Sequence, residues 1–125
     1  MDEAVRVAAP SSCEAVLLRL SGLVNSKLAA RADAIVELLF RRGHRRFVLD
    51  FCRTKRIDRR SANVLSRLGE RIIRERGWFA VAGPDPVLRP LLGKMRSVQE
   101  SEVFLSGEEA LGSWGISRSV TMEVE

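Results

Sequence analysis

Apolar residues recur along this chain with two spacings that alternate. Short apolar runs over Ala15–Leu20, Phe47–Phe51 and Trp78–Ala82 are typical of strands buried on both faces of a sheet. The segments between them repeat apolar residues at helical spacing, at Leu28, Ala32, Ile35, Val36 and Leu39, and at Val64, Leu65, Leu68 and Ile72. Alternating strands and helices predict an α/β fold with a parallel or mixed sheet.

Weaker patterns extend this fold at both ends. Val5–Ala8 is a weak strand candidate, and we expect it to form a hairpin with Ala15–Leu20. After the third strong strand, Asp85 is expected to cap a short or kinked helix that ends near Met95. Residues 102–105 follow as a short edge strand, and Ser106 begins a last helix with a capping box. We therefore predict one domain over residues 1–114, with a mixed sheet of about five strands covered by about four helices.

Residues 115–125 form a separate C-terminal tail. Val120, Met122 and Val124 alternate there with polar residues, which is a strand pattern. We expect the tail to add a strand to an exposed sheet edge, in its own chain or in a neighbour's, which leaves a homodimer open.

The net charge of +5 is concentrated in the middle of the chain. Residues 41–76 hold 13 Lys or Arg and 4 Asp or Glu, a balance of +9, and the remainder has a balance of −4. Such a basic segment favours an acidic partner, an anion or a nucleic acid, although a solvated helix face explains it equally well. The chain has no apolar run as long as a membrane span and no signal pattern, so we expect a cytoplasmic protein without membrane insertion.

No residue pattern in the chain predicts catalysis. The one histidine, His44, follows a helix stop, and neither a Ser-His-Asp nor a paired-carboxylate arrangement nor a Gly-rich phosphate loop is present. Cys13 and Cys52 lack the spacing of metal ligands, and we expect two reduced thiols. We therefore expect a protein that is not an enzyme and has no metal or cofactor.

The candidate site lies where the central strand leads into the second helix. Asp58 stands at the N-cap position, and Arg59 and Arg60 fall in the first helical turn. The helix dipole disfavours cations there by about 0.3–1 kcal/mol each, so two of them indicate a site for a carboxylate or phosphate. We expect the preceding basic segment to be a loop that extends this patch. The predicted partner-binding residues are Arg53, Lys55, Arg56, Asp58, Arg59, Arg60, Ser61 and Asn63.

Four stretches, taken in order, resemble the STAS domain, the family of anti-sigma factor antagonists and of the cytoplasmic tails of sulfate transporters. Residues 16–22 resemble its second strand, and residues 48–51 followed by 57–58 resemble its central strand and the aspartate of its Asp-Ser-Ser-Gly-Leu signature. Residues 81–89 resemble the next strand and helix start, and residues 104–111 resemble the C-terminal end. The resemblance implies a STAS fold and a non-catalytic regulatory role that binds a protein such as an anti-sigma factor or its kinase.

The chain departs from the family at the signature itself, which here reads Asp58-Arg59-Arg60-Ser61-Ala62. The resemblance places the serine that is phosphorylated in switching members at Arg59, and Ser61 comes two residues later. We therefore expect no switch at the usual position and keep Ser61 as the remaining candidate acceptor.

Two alternative functions stay open. One is a STAS component of a transport or lipid-trafficking complex. The other is a weak nucleic-acid or polyanion binder, which is disfavoured because no aromatic residue for base stacking lies between Cys52 and Gly77.

Overall fold

The three strongest predicted strands lie next to one another in a parallel sheet. The computed structural model describes residues 14–93 and 103–125. The strands in this part of the chain are β1 (Glu14–Leu20), β2 (Gly22–Val24), β3 (Arg46–Asp50), β4 (Thr54–Ile57), β5 (Trp78–Ala82), β6 (Val103–Phe104) and β7 (Arg118–Val124). The helices are α1 (Ser26–Arg41), α2 (Arg59–Arg74), α3 (Asp85–Leu92) and α4 (Gly107–Ser113). The main sheet has the order β6-β5-β3-β1-β7, and β2 and β4 form a separate two-stranded sheet.

The predicted α/β fold of about five strands and four helices is confirmed, with β3 at the centre of the main sheet. All strand pairs among the described residues are parallel. An antiparallel pair was expected from the hairpin of Val5–Ala8 with Ala15–Leu20. Val5–Ala8 lies outside the described residues, and β3 and β7 occupy both edges of β1, so β1 has no free edge for that hairpin.

The core lies on both faces of β3, which explains why this strand is nearly all apolar. Phe47 and Leu49 pack into the larger cluster, between the sheet and the layer that contains α1, α2 and α3. Val48 points to the opposite face and packs with α4. Helix α2 buries Leu68 completely in the larger cluster, and Val64, on the margin of the predicted helix face, is only partly buried there.

The basic segment before α2 is a strand, and the loop predicted there is wrong. The Thr54 hydroxyl donates to the Leu20 carbonyl oxygen at 2.6 Å, and Thr54 and Ile57 are both buried. Lys55 and Arg56, between them, are exposed. The cause is non-local, because β4 is held by β2, about thirty residues earlier in the chain. Two buried side chains separated by two cations gave no strand periodicity that sequence reasoning could detect.

The starts of the last two helices differ in how well they were predicted. The Glu109 N–H donates to Ser106 Oγ at 3.1 Å, which is one of the two bonds of the predicted capping box. The Glu109 carboxylate accepts from the Leu105 N–H at 2.8 Å, one residue before the Ser106 N–H that a full capping box uses. Helix α3 begins one residue earlier than predicted, with Pro84 at the N-cap and Asp85 already helical, and Pro84 has no side-chain oxygen that could cap the helix. The predicted end of this helix near Met95 lies outside the described residues.

The C-terminal tail forms a strand in its own chain. β7 pairs in parallel with β1 over the full length of both strands, from Glu14 opposite Arg118 to Leu20 opposite Val124. Because β1 is thereby flanked on both sides, β7 becomes one edge of the main sheet.

Candidate functional site

Five cations lie within the eight residues that lead into α2 and begin it, and we refer to them as the arginine surface. Its members are Arg53, Lys55, Arg56, Arg59 and Arg60, and all five are exposed. The backbone beneath them is fixed. The Phe51 N–H donates to the Ala82 carbonyl oxygen at 2.7 Å, and the Thr54 N–H donates to the Phe51 carbonyl oxygen at 3.0 Å. The arginine surface is therefore presented by a hydrogen-bonded turn, the strand β4 and a helix start.

Asp58 caps α2, as predicted. Its Oδ1 accepts a hydrogen bond from the Ser61 N–H at 2.8 Å, which satisfies one of the free donors of the first turn. The nearby Ser61 side chain and this backbone N–H hold the pKa of Asp58 below its ordinary value. Asp58 is therefore ionised at neutral pH and hydrogen-bonded to the helix start, and the charge of Arg60 contributes to the same lowering.

None of the five cations forms an ion pair with a residue in the described part of the chain. Other arginines do, and Arg71 on the same helix bridges to Asp33 and Glu37 of α1 at 3.1 and 3.0 Å. Among the described residues, the chain thus pairs an arginine where it stabilises helix packing and leaves the arginine surface without an ion pair. Positive charge at a helix start is unfavourable in isolation, so an acidic ligand there would relieve it.

Ser61 does not belong to the exposed surface. Its side chain is fully buried, and its hydroxyl makes no hydrogen bond of ordinary geometry to any residue in the described ranges, although it lies close enough to Asp58 to lower that residue's pKa. A kinase could reach this hydroxyl only after the first turn of α2 opened. Asn63, in the next turn, is half-buried, so the exposed part of the predicted site is made by cations and Asp58.

An ionic ladder crosses three strands on the α4 face, and the sequence reasoning missed it. Arg19 of β1 donates from Nε to Asp50 Oδ2 at 3.3 Å and from a terminal nitrogen to Glu123 Oε2 at 3.2 Å. The three residues are in register across β3, β1 and β7. The one available signal was a charged residue inside each strand pattern, which identifies no partner by itself.

Cys52, beside this ladder, is a free thiol. Partial desolvation and the neighbouring Asp50 carboxylate raise the pKa of Cys52 to about 11. The thiol is thus almost fully protonated at neutral pH, which makes it a poor nucleophile. Cys13, the other predicted thiol, lies outside the described residues.

Two further findings concern the described residues alone. No group of three or more His, Cys, Asp or Glu side chains in residues 14–93 and 103–125 is placed to hold a metal ion. No helix in the same ranges combines the length and the apolarity needed to cross a membrane.

Comparison with known proteins identifies the fold. No protein-family sequence model matches the chain, and neither does any curated protein sequence. Among solved structures, the STAS domain of a SulP transporter from Vibrio cholerae superimposes with a TM-score of 0.65. The match covers 89% of this chain and 90% of the transporter domain at 15% sequence identity. The chain therefore has the STAS-domain fold, as the sequence resemblance implied.

Proposed function

We propose that this protein is a non-catalytic regulatory module that binds an acidic surface of a partner protein through the arginine surface, in the manner of an anti-sigma factor antagonist. The observation that carries the proposal is a set of five exposed cations, unpaired within the described residues, at the start of α2. They lie on a fixed strand and helix start in a STAS fold. A partner that brings carboxylates would gain charge-assisted hydrogen bonds there. We place this activity in the cytoplasm.

We propose further that phosphorylation at the family's usual serine position does not control this binding. Arg59 occupies the position that the resemblance assigns to that serine, and a guanidinium keeps its charge at all physiological pH values. The burial of Ser61 supports the same view, because the remaining hydroxyl in that turn faces inward. The arginine surface would then favour an acidic partner at every stage of signalling.

The test is a double charge reversal. Arg59→Glu with Arg60→Glu removes two cations, adds two carboxylates and relieves the conflict with the helix dipole, so the variant should fold at least as stably. Proteins recovered with the tagged wild type from its native cell are compared quantitatively with those recovered with the variant. The expected result is the loss of a specific acidic partner, by more than tenfold in affinity when that partner is purified, about 1.4 kcal/mol.

A matched control lies on the same helix. Arg67→Glu with Arg74→Glu makes the same change of net charge at exposed positions further along α2. Because Arg74 is in the last turn, its reversal costs about 0.3–1 kcal/mol of stability, which a melting curve measures separately. Equal loss of the partner in both variants would mean that the whole helix face acts as a diffuse charge. Stoichiometric phosphate on Ser61 in protein from cells would restore a phosphorylation switch.

A second candidate function is a STAS component of a transport or lipid-trafficking complex. It is favoured by one observation, the similarity to a STAS domain that belongs to a SulP transporter. Recovery of the tagged protein with a membrane transporter, undiminished by the Arg59 and Arg60 reversal, would select this candidate.

Nucleic-acid binding remains a weaker alternative. A cationic surface gives weak, salt-sensitive binding to any polyanion. Sequence-selective, submicromolar binding to DNA or RNA at physiological salt would promote this alternative above the other two.

A further inference from the structure

Within the described part of the chain, β7 has an open outer edge on the main sheet. It is the last strand in the order β6-β5-β3-β1-β7, and no described residue pairs with its outer side. The strand is seven residues long, so it presents a full row of backbone N–H and C=O groups. An edge of this length without a cover is a ready template for another strand.

Exposed apolar side chains border the same edge. α1 runs antiparallel to β7 in this parallel α/β fold, and the Arg31 guanidinium donates to the Glu125 carbonyl oxygen just beyond the strand. Leu38, two turns further along α1, therefore lies beside the middle of β7. Leu38 is 49% exposed and Val120 is 43% exposed, two of the five large apolar residues that are exposed in the described part of the chain.

Two more apolar residues connect these to the core. Ile35 and Met122 are partly buried and pack against the larger hydrophobic cluster. We call Ile35, Leu38, Val120 and Met122 the edge patch. The edge patch adjoins the unpaired outer edge of β7 on the α1 side, so one partner could cover both the backbone edge and the apolar side chains.

The charges along β7 set the direction of that partner. The strand begins with Arg118, its last charged residue is Glu123, and Glu125 follows the strand. In an antiparallel pair of β7 strands, Arg118 and Glu123 of one strand lie away from the same residues of the other, so like charges are kept apart, and Glu123 keeps its ion pair with Arg19. A parallel pair would bring like charges together at both ends, which is unfavourable for cross-strand neighbours.

We propose that two copies of this chain associate by antiparallel pairing of their β7 strands, with the two-fold axis at Thr121. In this register Thr121 lies opposite the partner's Thr121, and Val120 lies opposite the partner's Met122. Residues directly opposite share one face of a sheet, so the two edge patches meet on the α1 side. A shift by one residue would send them to opposite faces. The arginine surface lies on β4, α2 and the turn before β4, so both copies of it stay free.

Sedimentation equilibrium of the full chain at increasing protein concentration tests the association. We expect a monomer–dimer equilibrium whose dissociation constant rises at least tenfold in Val120→Lys, which buries a charge against the partner's Met122. Leu38→Lys, a second variant that leaves β7 intact, should have the same effect. Leu105→Lys is the matched control, because Leu105 is 76% exposed next to β6 at the opposite edge, and it should leave the constant unchanged.

Disulfide trapping tests the register in a Cys13→Ser, Cys52→Ser background. Opposed residues of antiparallel strands have Cα atoms about 4.5–5.5 Å apart, within the range a disulfide spans. Thr121→Cys should therefore form a covalent dimer on mild oxidation. Two Ser119→Cys residues would be separated by about 13 Å along the strands and should not.

Three outcomes would overturn the proposal. The chain could remain monomeric at all concentrations, or form a dimer that Val120→Lys and Leu38→Lys leave intact. Equal trapping through Ser119→Cys and Thr121→Cys would reject the register.

Discussion

The Arg19 ladder gives the sharpest stability prediction, because one guanidinium serves two carboxylates of very different exposure. The Asp50 side chain is 3% exposed and the Glu123 side chain is 43% exposed. Arg19→Met keeps the apolar stem and removes the charge. The buried Asp50 carboxylate then keeps the Cys52 N–H as a hydrogen-bond donor and loses its positively charged partner.

The magnitudes follow from that difference in burial. Removing one partner of a buried ion pair costs about 3–5 kcal/mol, and we expect about 3 kcal/mol for Arg19→Met because its side chain is 18% exposed. Glu123→Gln, at the exposed end, should cost less than about 1 kcal/mol. The double variant Arg19→Met, Asp50→Asn contains no unpaired buried charge. Its loss in the free energy of unfolding should therefore be smaller than the sum of the losses in the two single variants.

Urea denaturation followed by tryptophan fluorescence measures these changes. Trp78 and Trp114 pack edge to face with ring centroids 5.4 Å apart, so their emission reports on the α4 side of the sheet. All variants are compared at one low protein concentration, because association would add concentration-dependent stability. If Arg19→Met costs no more than Glu123→Gln, Asp50 does not depend on Arg19 and the reasoning fails.

Two further predictions concern α2. Leu68→Ala removes a fully buried side chain and should lower the free energy of unfolding by about 2–5 kcal/mol. Leu23→Ala, at a 58% exposed position, should lower it far less. A loss under about 0.5 kcal/mol at Leu68 would mean that the assigned helix face is wrong. The pKa of Asp58 is lowered in the folded chain, so ionised Asp58 stabilises the fold. This stabilisation is complete above the unfolded pKa of about 3.9 and is lost as the pH falls through the folded-state pKa. Asp58→Asn keeps a capping oxygen and removes the charge, so it should destabilise the protein at neutral pH, and its difference from the wild type should shrink below about pH 4 in acid-denaturation curves. A difference that stays constant with pH would contradict the stabilising role assigned to the Asp58 charge.

Local patterns were sufficient to predict β3, α2 and the Asp58 cap, because each is set by neighbouring residues. Leu65, Leu68 and Ile72 repeat at helical spacing, and a carboxylate just before such a repeat is a common N-cap. The arginine surface was found for the same reason, since its members lie within eight consecutive positions of the sequence.

Features set by distant contacts were not predictable. β4 depends on β2, and the Arg19–Asp50 contact joins residues 31 positions apart. The alternation in residues 119–125 indicated a strand but could not show that it would join β1. Ser61 looked accessible because serine is usually exposed, and only the packing of α2 shows that its hydroxyl is buried.

The central claim is that the cations at the start of α2 bind an acidic partner without a serine switch. Calorimetric titration of the purified partner against unphosphorylated wild type, the Arg59→Glu, Arg60→Glu variant and the Arg67→Glu, Arg74→Glu control tests it most directly. We predict tight binding to the wild type, a loss of more than tenfold, about 1.4 kcal/mol, in the first variant, and a much smaller change in the control. Unchanged affinity in the Arg59 and Arg60 variant would contradict the account and leave these arginines as a solvated helix face.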